Sequence, residues 1–137
     1  HSKTSQNLFQ NLTSEERKYI KFDGPIYGDK LISHTHEYGI FVMPGIGGLA
    51  VNEAMANGLV VLSTEGDGTI IDLLDESYSG FLLPHNCSKT DILRPLTYLI
   101  NLPEKDFRER CKASQSRILI KASLDGMVNG FLEAIYE

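Results

Sequence analysis

The chain has 137 residues, 42% hydrophobic and 23% charged, with a formal net charge of −5. This composition excludes a disordered chain, and a chain of this length buries about two-thirds of its unfolded surface. The acidic balance argues against a dedicated nucleic-acid binder, which presents a basic face. Any anionic ligand must therefore be held by local dipoles or by a few placed cations. No apolar run reaches the roughly 18 residues of a membrane span, and no signal peptide is legible. Two cysteines, Cys87 and Cys111, make no disulfide framework and read as free thiols. A cytoplasmic location is expected.

Ser2 to Asn11 is polar and patternless. Thr13 followed by Glu16 marks a short helix start. Tyr19 to Phe22 is an apolar-rich run and reads as a strand, closed by the turn signal Asp23-Gly24-Pro25. Asp29 is expected to cap a helix to about His36. Gly39 to Met43 is nearly all apolar, as parallel strands covered on both faces are. Val51 to Ala56 is helical, with Gly58 as its C′ glycine. Leu59 to Ser63 is a second buried strand, Ile70 to Leu74 a short helix, and Gly80 to Leu83 a short strand ending at Pro84. Three helices are then expected: Lys89 to Asn101, Pro103 to about Ile120, and Ser123 to Tyr136. The last carries Leu124, Met127, Val128, Phe131, Leu132 and Ile135 on one face. Strands alternating with helices give an α/β fold. The expectation is a Rossmann-like three-layer αβα arrangement with a short parallel sheet of about four strands and C-terminal helices.

The stretch Phe41 to Gly58 is the half-unit in which α/β proteins hold phosphates: a buried strand, a glycine turn and a helix N-terminus. Gly45, Gly47 and Ala50 fit the dinucleotide pattern G-x-G-x-x-A, and Glu65 lies about twenty residues on. That suggests NAD. Three features weaken it: a short helix, a whole βα unit before the motif, and Pro44 where the strand should run smoothly into the first glycine. Glu53 is a second candidate, because its carboxylate can accept two hydrogen bonds from adjacent ribose hydroxyls. The bland alternative is a solvated helix face. His34 and His36 are two residues apart, so a helix turns them to different sides, and nothing completes a metal set. No metal is expected. Asp67, between Gly66 and Gly68, reads as a turn former.

A resemblance adds to this reading. Phe41-Val42-Met43-Pro44, Gly48-Leu49, Glu53-Ala54-Met55-Ala56-x-Gly58 and Gly80-Phe81-Leu82 resemble the nucleotide-sugar-binding domain of retaining GT-B glycosyltransferases, the large sucrose-synthase-like (group 1) family. The likeness covers roughly residues 18 to 136. It implies transfer of a sugar from a nucleoside diphosphate sugar to an acceptor, without a cofactor, in bacterial cell-surface polysaccharide biosynthesis. The turn Gly45, Gly47, Gly48, Leu49 and Ala50 would face the diphosphate and donor sugar, with the N–H groups of Gly48, Leu49 and Ala50 towards it. Glu53 matches the second of the family's paired glutamates, which holds the ribose. Backbone from Gly24 to Tyr27 would line the base, and the loop Glu65 to Thr69 would approach the sugar. No catalytic residue is assigned.

The chain departs from the pattern at Gly45, where the first glutamate of the pair is expected. The likeness also implies one domain over residues 1–137, most of the carboxyl-terminal donor-binding domain, with the acceptor domain and the first strands absent. Its partners would be the nucleotide-sugar donor and the N-terminal domain of the same parent chain. A helix N-terminus contributes about 0.3–1 kcal/mol, whereas micromolar binding needs about 8 kcal/mol. The isolated chain is therefore expected to bind donor weakly and to turn nothing over. Two rival readings stay open: an NAD-dependent Rossmann enzyme and a non-catalytic α/β module for partner binding.

Overall fold

The computed structural model describes residues 10–45, 47–66 and 68–136, in two units, 1–32 and 33–137. The lead-in expected over residues 2–11 falls almost wholly outside the described residues, and so does Asp67.

The first unit opens on the expected capping box. The Thr13 hydroxyl accepts the Glu16 N–H (3.3 Å), and the Glu16 carboxylate accepts the Thr13 N–H (2.8 Å). This starts helix α1 (Ser14–Arg17). The strand expected at Tyr19 to Phe22 does not form. Tyr19 and Ile20 donate their N–H groups to the carbonyls of Glu16 and Arg17 (3.1 and 3.5 Å), prolonging the end of α1 instead of joining a ladder. Both Ile20 and Phe22 stay exposed. Gly24 then turns the chain at φ +74°. Gly28, at φ +60°, accepts the N–H groups of Leu31 and Ile32 and opens helix α2 (Asp29–Thr35). Asp29 is thus the first helical residue and not the cap. Its carboxylate suits the positive end of the helix.

The second unit is built on a parallel sheet of three strands, β1 (Ile40–Met43), β2 (Val60–Thr64) and β3 (Gly80–Leu83), in that spatial order. Phe41 pairs with Val61, and Leu62 with Phe81. With no ladder at residue 20, the expected four strands are three among the described residues. Every residue of the central β2 is buried. Successive residues of β2 face opposite layers, as the two-residue period of a strand requires. Val61 joins Val51, Met55, Ile70, Leu73 and Ile118 in one core. Val60 and Leu62 join Leu83 and Leu99 in the other. The fold is therefore the expected three-layer α/β arrangement. Among the described residues β1 is an edge strand and is not covered on both faces: Val42 is 38% exposed.

Helix α3 (Leu49–Ala56) and helix α4 (Thr69–Leu73) cover one face. The end of α3 is a Schellman motif, with Gly58 at φ +78°. The Gly58 N–H reaches the Met55 carbonyl (2.9 Å), and the Leu59 N–H reaches that of Ala54 (3.0 Å). Helix α5 (Lys89–Ile100) lies on the other face, with Pro95 buried in its interior. Helix α6 (Glu104–Lys121) joins the layers: Phe107 and Cys111 pack in one core and Ile118 in the other. Burial pushes the Cys111 thiol up from its ordinary value. On the way α6 ties down the strand connections. The Ser114 hydroxyl donates to the Leu59 carbonyl (2.7 Å), and Arg117 donates to the last carbonyls of α4, Asp72 (2.9 Å) and Leu73 (3.2 Å). Helix α7 (Leu124–Tyr136) carries the expected apolar stripe, but none of it is buried. No helix of the described residues is long and apolar enough to cross a membrane.

The start of α5 is pH-sensitive. The Ser88 hydroxyl and N–H both bond the Asp91 carboxylate (2.7 and 2.8 Å), the hydroxyl having the larger effect, and hold it below the ordinary carboxylate range. A carboxyl depressed in the folded state stabilises above its unfolded value, and that stabilisation is lost as pH falls through the folded value. Ser88→Ala should return the Asp91 midpoint upwards in an NMR titration. An unchanged midpoint would contradict this cause.

Candidate functional site

The glycine turn lies between the end of β1 and the start of α3. Two contacts fix it. The Gly45 N–H reaches back to the Met43 carbonyl (2.8 Å), and the Gly45 carbonyl accepts the hydroxyl of Thr64 (2.9 Å), the buried last residue of β2. Gly47 is pressed against the fold: a Cβ there would run into Val51 Cγ2 and stand 3.2 Å from Ser63 Oγ. Gly48 is the N-cap of α3 at φ +46°, ψ −134°, a backbone that L side chains rarely adopt, and it offers no side-chain cap. Gly45 faces open space.

These constraints decide which N–H groups remain available. Ala50 donates to Gly47 (3.1 Å) and Val51 to Gly48 (3.1 Å). The N–H groups of Gly48 and Leu49 have no acceptor among the described residues. They are two of the orphan donors every helix start carries, at the positive end of the helix dipole.

Gly48, Leu49 and Asn52 line a cavity of about 470 Å³ together with Thr69, Asp72 and Lys121. Lys121 ends α6 and is far from the turn in sequence. It is the basic residue of this lining, and Asp72 is the acidic one. Thr64, Asn52 and Lys121 all escaped the sequence reading. The only hint of Lys121 was its type: a basic residue in the last turn of a helix.

Glu53 is exposed on the side of α3 opposite its buried residues Val51, Ala54 and Met55. It makes no ion pair among the described residues. Its backbone carbonyl holds the Asn57 N–H and side-chain amide (3.1 and 2.8 Å). Glu65 is exposed just beyond β2, and Gly68 caps α4 in the left-handed region at φ +88°. Gly24 and Tyr27 belong to the first unit, where Tyr27 is 80% exposed. The His34 ring packs edge-on against Tyr38 (centroids 5.0 Å), while His36 is exposed. No group of three or more potential metal ligands occurs among the described residues.

The first glycine of the dinucleotide pattern serves a tight turn, and the Gly45 N–H on the Met43 carbonyl makes one. The glycines under constraint are Gly47, by close approach, and Gly48, by backbone conformation. Helix α3 is eight residues long, as the short spacing implied.

The model of the family glycosyl transferases group 1 matches residues 3–116, and the chain belongs to this family. No curated protein and no solved structure matches it.

The family pattern and the geometry give one contrast to measure. Gly45→Glu, which keeps both backbone contacts of Gly45 and adds a side chain where nothing stands within 4 Å of the Cβ, should leave the melting temperature within about 2 °C, as most surface substitutions do. Gly47→Ala should lower stability by about 1–3 kcal/mol, the usual range for overpacking. Equal melting temperatures for the two variants would contradict the reading.

Proposed function

We propose that the chain is the donor-binding part of a retaining, GT-B-type transferase. It would move a sugar from a nucleoside diphosphate sugar to an acceptor. The observation that carries this is the pair of acceptor-free N–H groups of Gly48 and Leu49 at the start of α3, on a cavity shared with Lys121. A diphosphate leaving group gains negative charge as the glycosidic bond breaks. Preorganised donors and a cation aimed at that charge lower the barrier without reorganising. Glu53 would accept the ribose hydroxyls, and Gly45 to Ala50 would wrap the sugar side of the diphosphate.

The reading places the enzyme in the cytoplasm and in cell-surface polysaccharide synthesis. It makes residues 1–137 a donor-binding fragment, inactive alone, whose acceptor domain lies elsewhere in a longer chain. One placed lysine and one helix start fall well short of the roughly 8 kcal/mol that micromolar affinity needs.

Calorimetric titration of the longest encoded form with UDP, GDP and NAD tests the assignment. Binding of a nucleoside diphosphate and not of NAD is the expected result. NAD binding alone, or no binding to any of the three, would overturn it in favour of the dehydrogenase or the silent module. Turnover by residues 1–137 alone would remove the fragment assignment.

A further inference from the structure

A second cavity, of about 420 Å³, runs along β3 and shares no lining residue with the cavity at the glycine turn. Its walls are aromatic and apolar: Phe81 on β3, Pro84 just beyond it, and Pro95 and Tyr98 on α5. Phe81 and Tyr98 meet edge-to-face, with centroids 6.0 Å apart. Two guanidinium groups open onto the same space, Arg94 from α5 and Arg110 from α6.

Arg110 is held rigidly. Its guanidinium carbon lies 5.6 Å from the centroid of Phe81 and 5.2 Å from that of Tyr98. It donates to the Glu76 carbonyl (2.9 Å) and the Tyr98 hydroxyl (3.1 Å). Both acceptors are neutral, so its charge is not cancelled, and several of its five N–H donors remain. Arg94 is exposed, and neither arginine makes an ion pair among the described residues. In a chain of net charge −5, two arginines lining one cavity without a carboxylate partner point to an anion.

Two acids also line the cavity, Glu76 and Asp91. The Asp91 carboxylate is engaged by Ser88, and Glu76 is exposed. The formal charge of the lining is therefore zero. That suits a single negative charge placed on the arginine side. The volume lies within the roughly 300–1,000 Å³ of small-molecule sites, which combine apolar walls with a few placed polar groups.

We infer that the β3 cavity binds a small aromatic carboxylate, its ring on Phe81 and Tyr98 and its carboxylate on Arg94 and Arg110. Guanidinium forks match carboxylates in two parallel hydrogen bonds, and a planar ring stacks on guanidinium as well as on aromatic faces.

Amide NMR titration of the chain with 2-naphthoate tests this. The controls are 2-naphthylmethanol, which has the ring without the charge, and inorganic phosphate, which has the charge without the ring. The expected result is saturable shifts at Phe81, Leu82 and Tyr98 with 2-naphthoate, and at least tenfold weaker binding of both controls. Gly48 and Leu49 should not move, which separates this site from the proposed donor site. Arg94→Ala, at an exposed position, should keep the fold and weaken 2-naphthoate at least tenfold. Absence of shifts at Phe81 and Tyr98, equal binding of the neutral alcohol, or unchanged affinity in Arg94→Ala would each overturn the inference.

Discussion

Gly80→Ala is expected to be the most destabilising single methyl addition in the second unit. A Cβ at Gly80 would collide with the backbone carbonyl oxygen of Val61 and stand 2.9 Å from Leu74 Cδ2. Val61 is the buried middle of the central strand and pairs with Gly80 itself, so it has nowhere to move. The connection before Gly80 is equally fixed. The Ser79 hydroxyl donates to the Leu73 carbonyl (2.9 Å), Arg117 donates to the same carbonyl, and Arg110 holds the carbonyl of Glu76. Relief would require parting β2 from β3. The cost should reach about 3 kcal/mol, the upper end of the usual overpacking range. That is a large part of the roughly 5–15 kcal/mol that keeps a domain folded. Thermal unfolding should show a drop of about 10 °C or more. Gly39→Ala is the control. There a Cβ would stand 2.6 Å from ring atoms of Phe107, the far end of a partly buried side chain, which gives way more readily than a backbone carbonyl, and the drop should be smaller. A Gly80→Ala protein that melts with the wild type would mean that β3 does not sit against β2 as described.

The parts of the fold that rest on local chemistry were legible in the sequence. The capping box at Thr13, the glycine that stops α3 and the apolar run of β2 each need only a few neighbouring residues. What depends on a distant partner was not legible. Tyr19 to Phe22 has the composition of a strand, but a strand exists only where another offers a ladder, and here the end of α1 takes two of its N–H groups. Ile40 to Met43 has the composition of a strand covered twice, yet its place at the sheet edge leaves Val42 partly bare. The periodicity of α7 was correct, and the stripe lies unburied, because an apolar stripe specifies a face without specifying what meets it. The site divides in the same way. The turn and the free donors of Gly48 and Leu49 follow from its glycines, whereas the Ala50 N–H expected beside them is taken by the Gly47 carbonyl. The Thr64 hydroxyl on Gly45 and the arrival of Lys121 at the cavity follow only from the folded layers.

Glu53→Ala is expected to abolish measurable nucleoside diphosphate binding in the longest encoded form while leaving its stability unchanged. The carboxylate is exposed and without an ion pair among the described residues, and α3 packs through Val51, Ala54 and Met55 on the opposite side. Removing it therefore opens no void and strands no partner, and melting should shift by less than about 2 °C. Its expected work is in the bound state. Two ribose hydroxyls donating to one carboxylate are charge-assisted hydrogen bonds, worth about 1.5–3 kcal/mol each. Their loss corresponds to about 10² to 10⁴ in affinity, since about 1.4 kcal/mol is tenfold. Glu53→Gln, which keeps one neutral acceptor, should fall between the two. Lys121→Ala removes one exposed cation from the cavity beside Gly48 and should weaken the same ligand less, by about fivefold, because exposed ion pairs contribute only about 0.2–1 kcal/mol. The ordering separates the readings. A solvated, idle Glu53 would leave affinity for UDP and GDP as it was, and a dinucleotide site would lose NAD on Glu65→Ala while ignoring Glu53. Full affinity for UDP or GDP in Glu53→Ala would remove the ribose contact from the proposal.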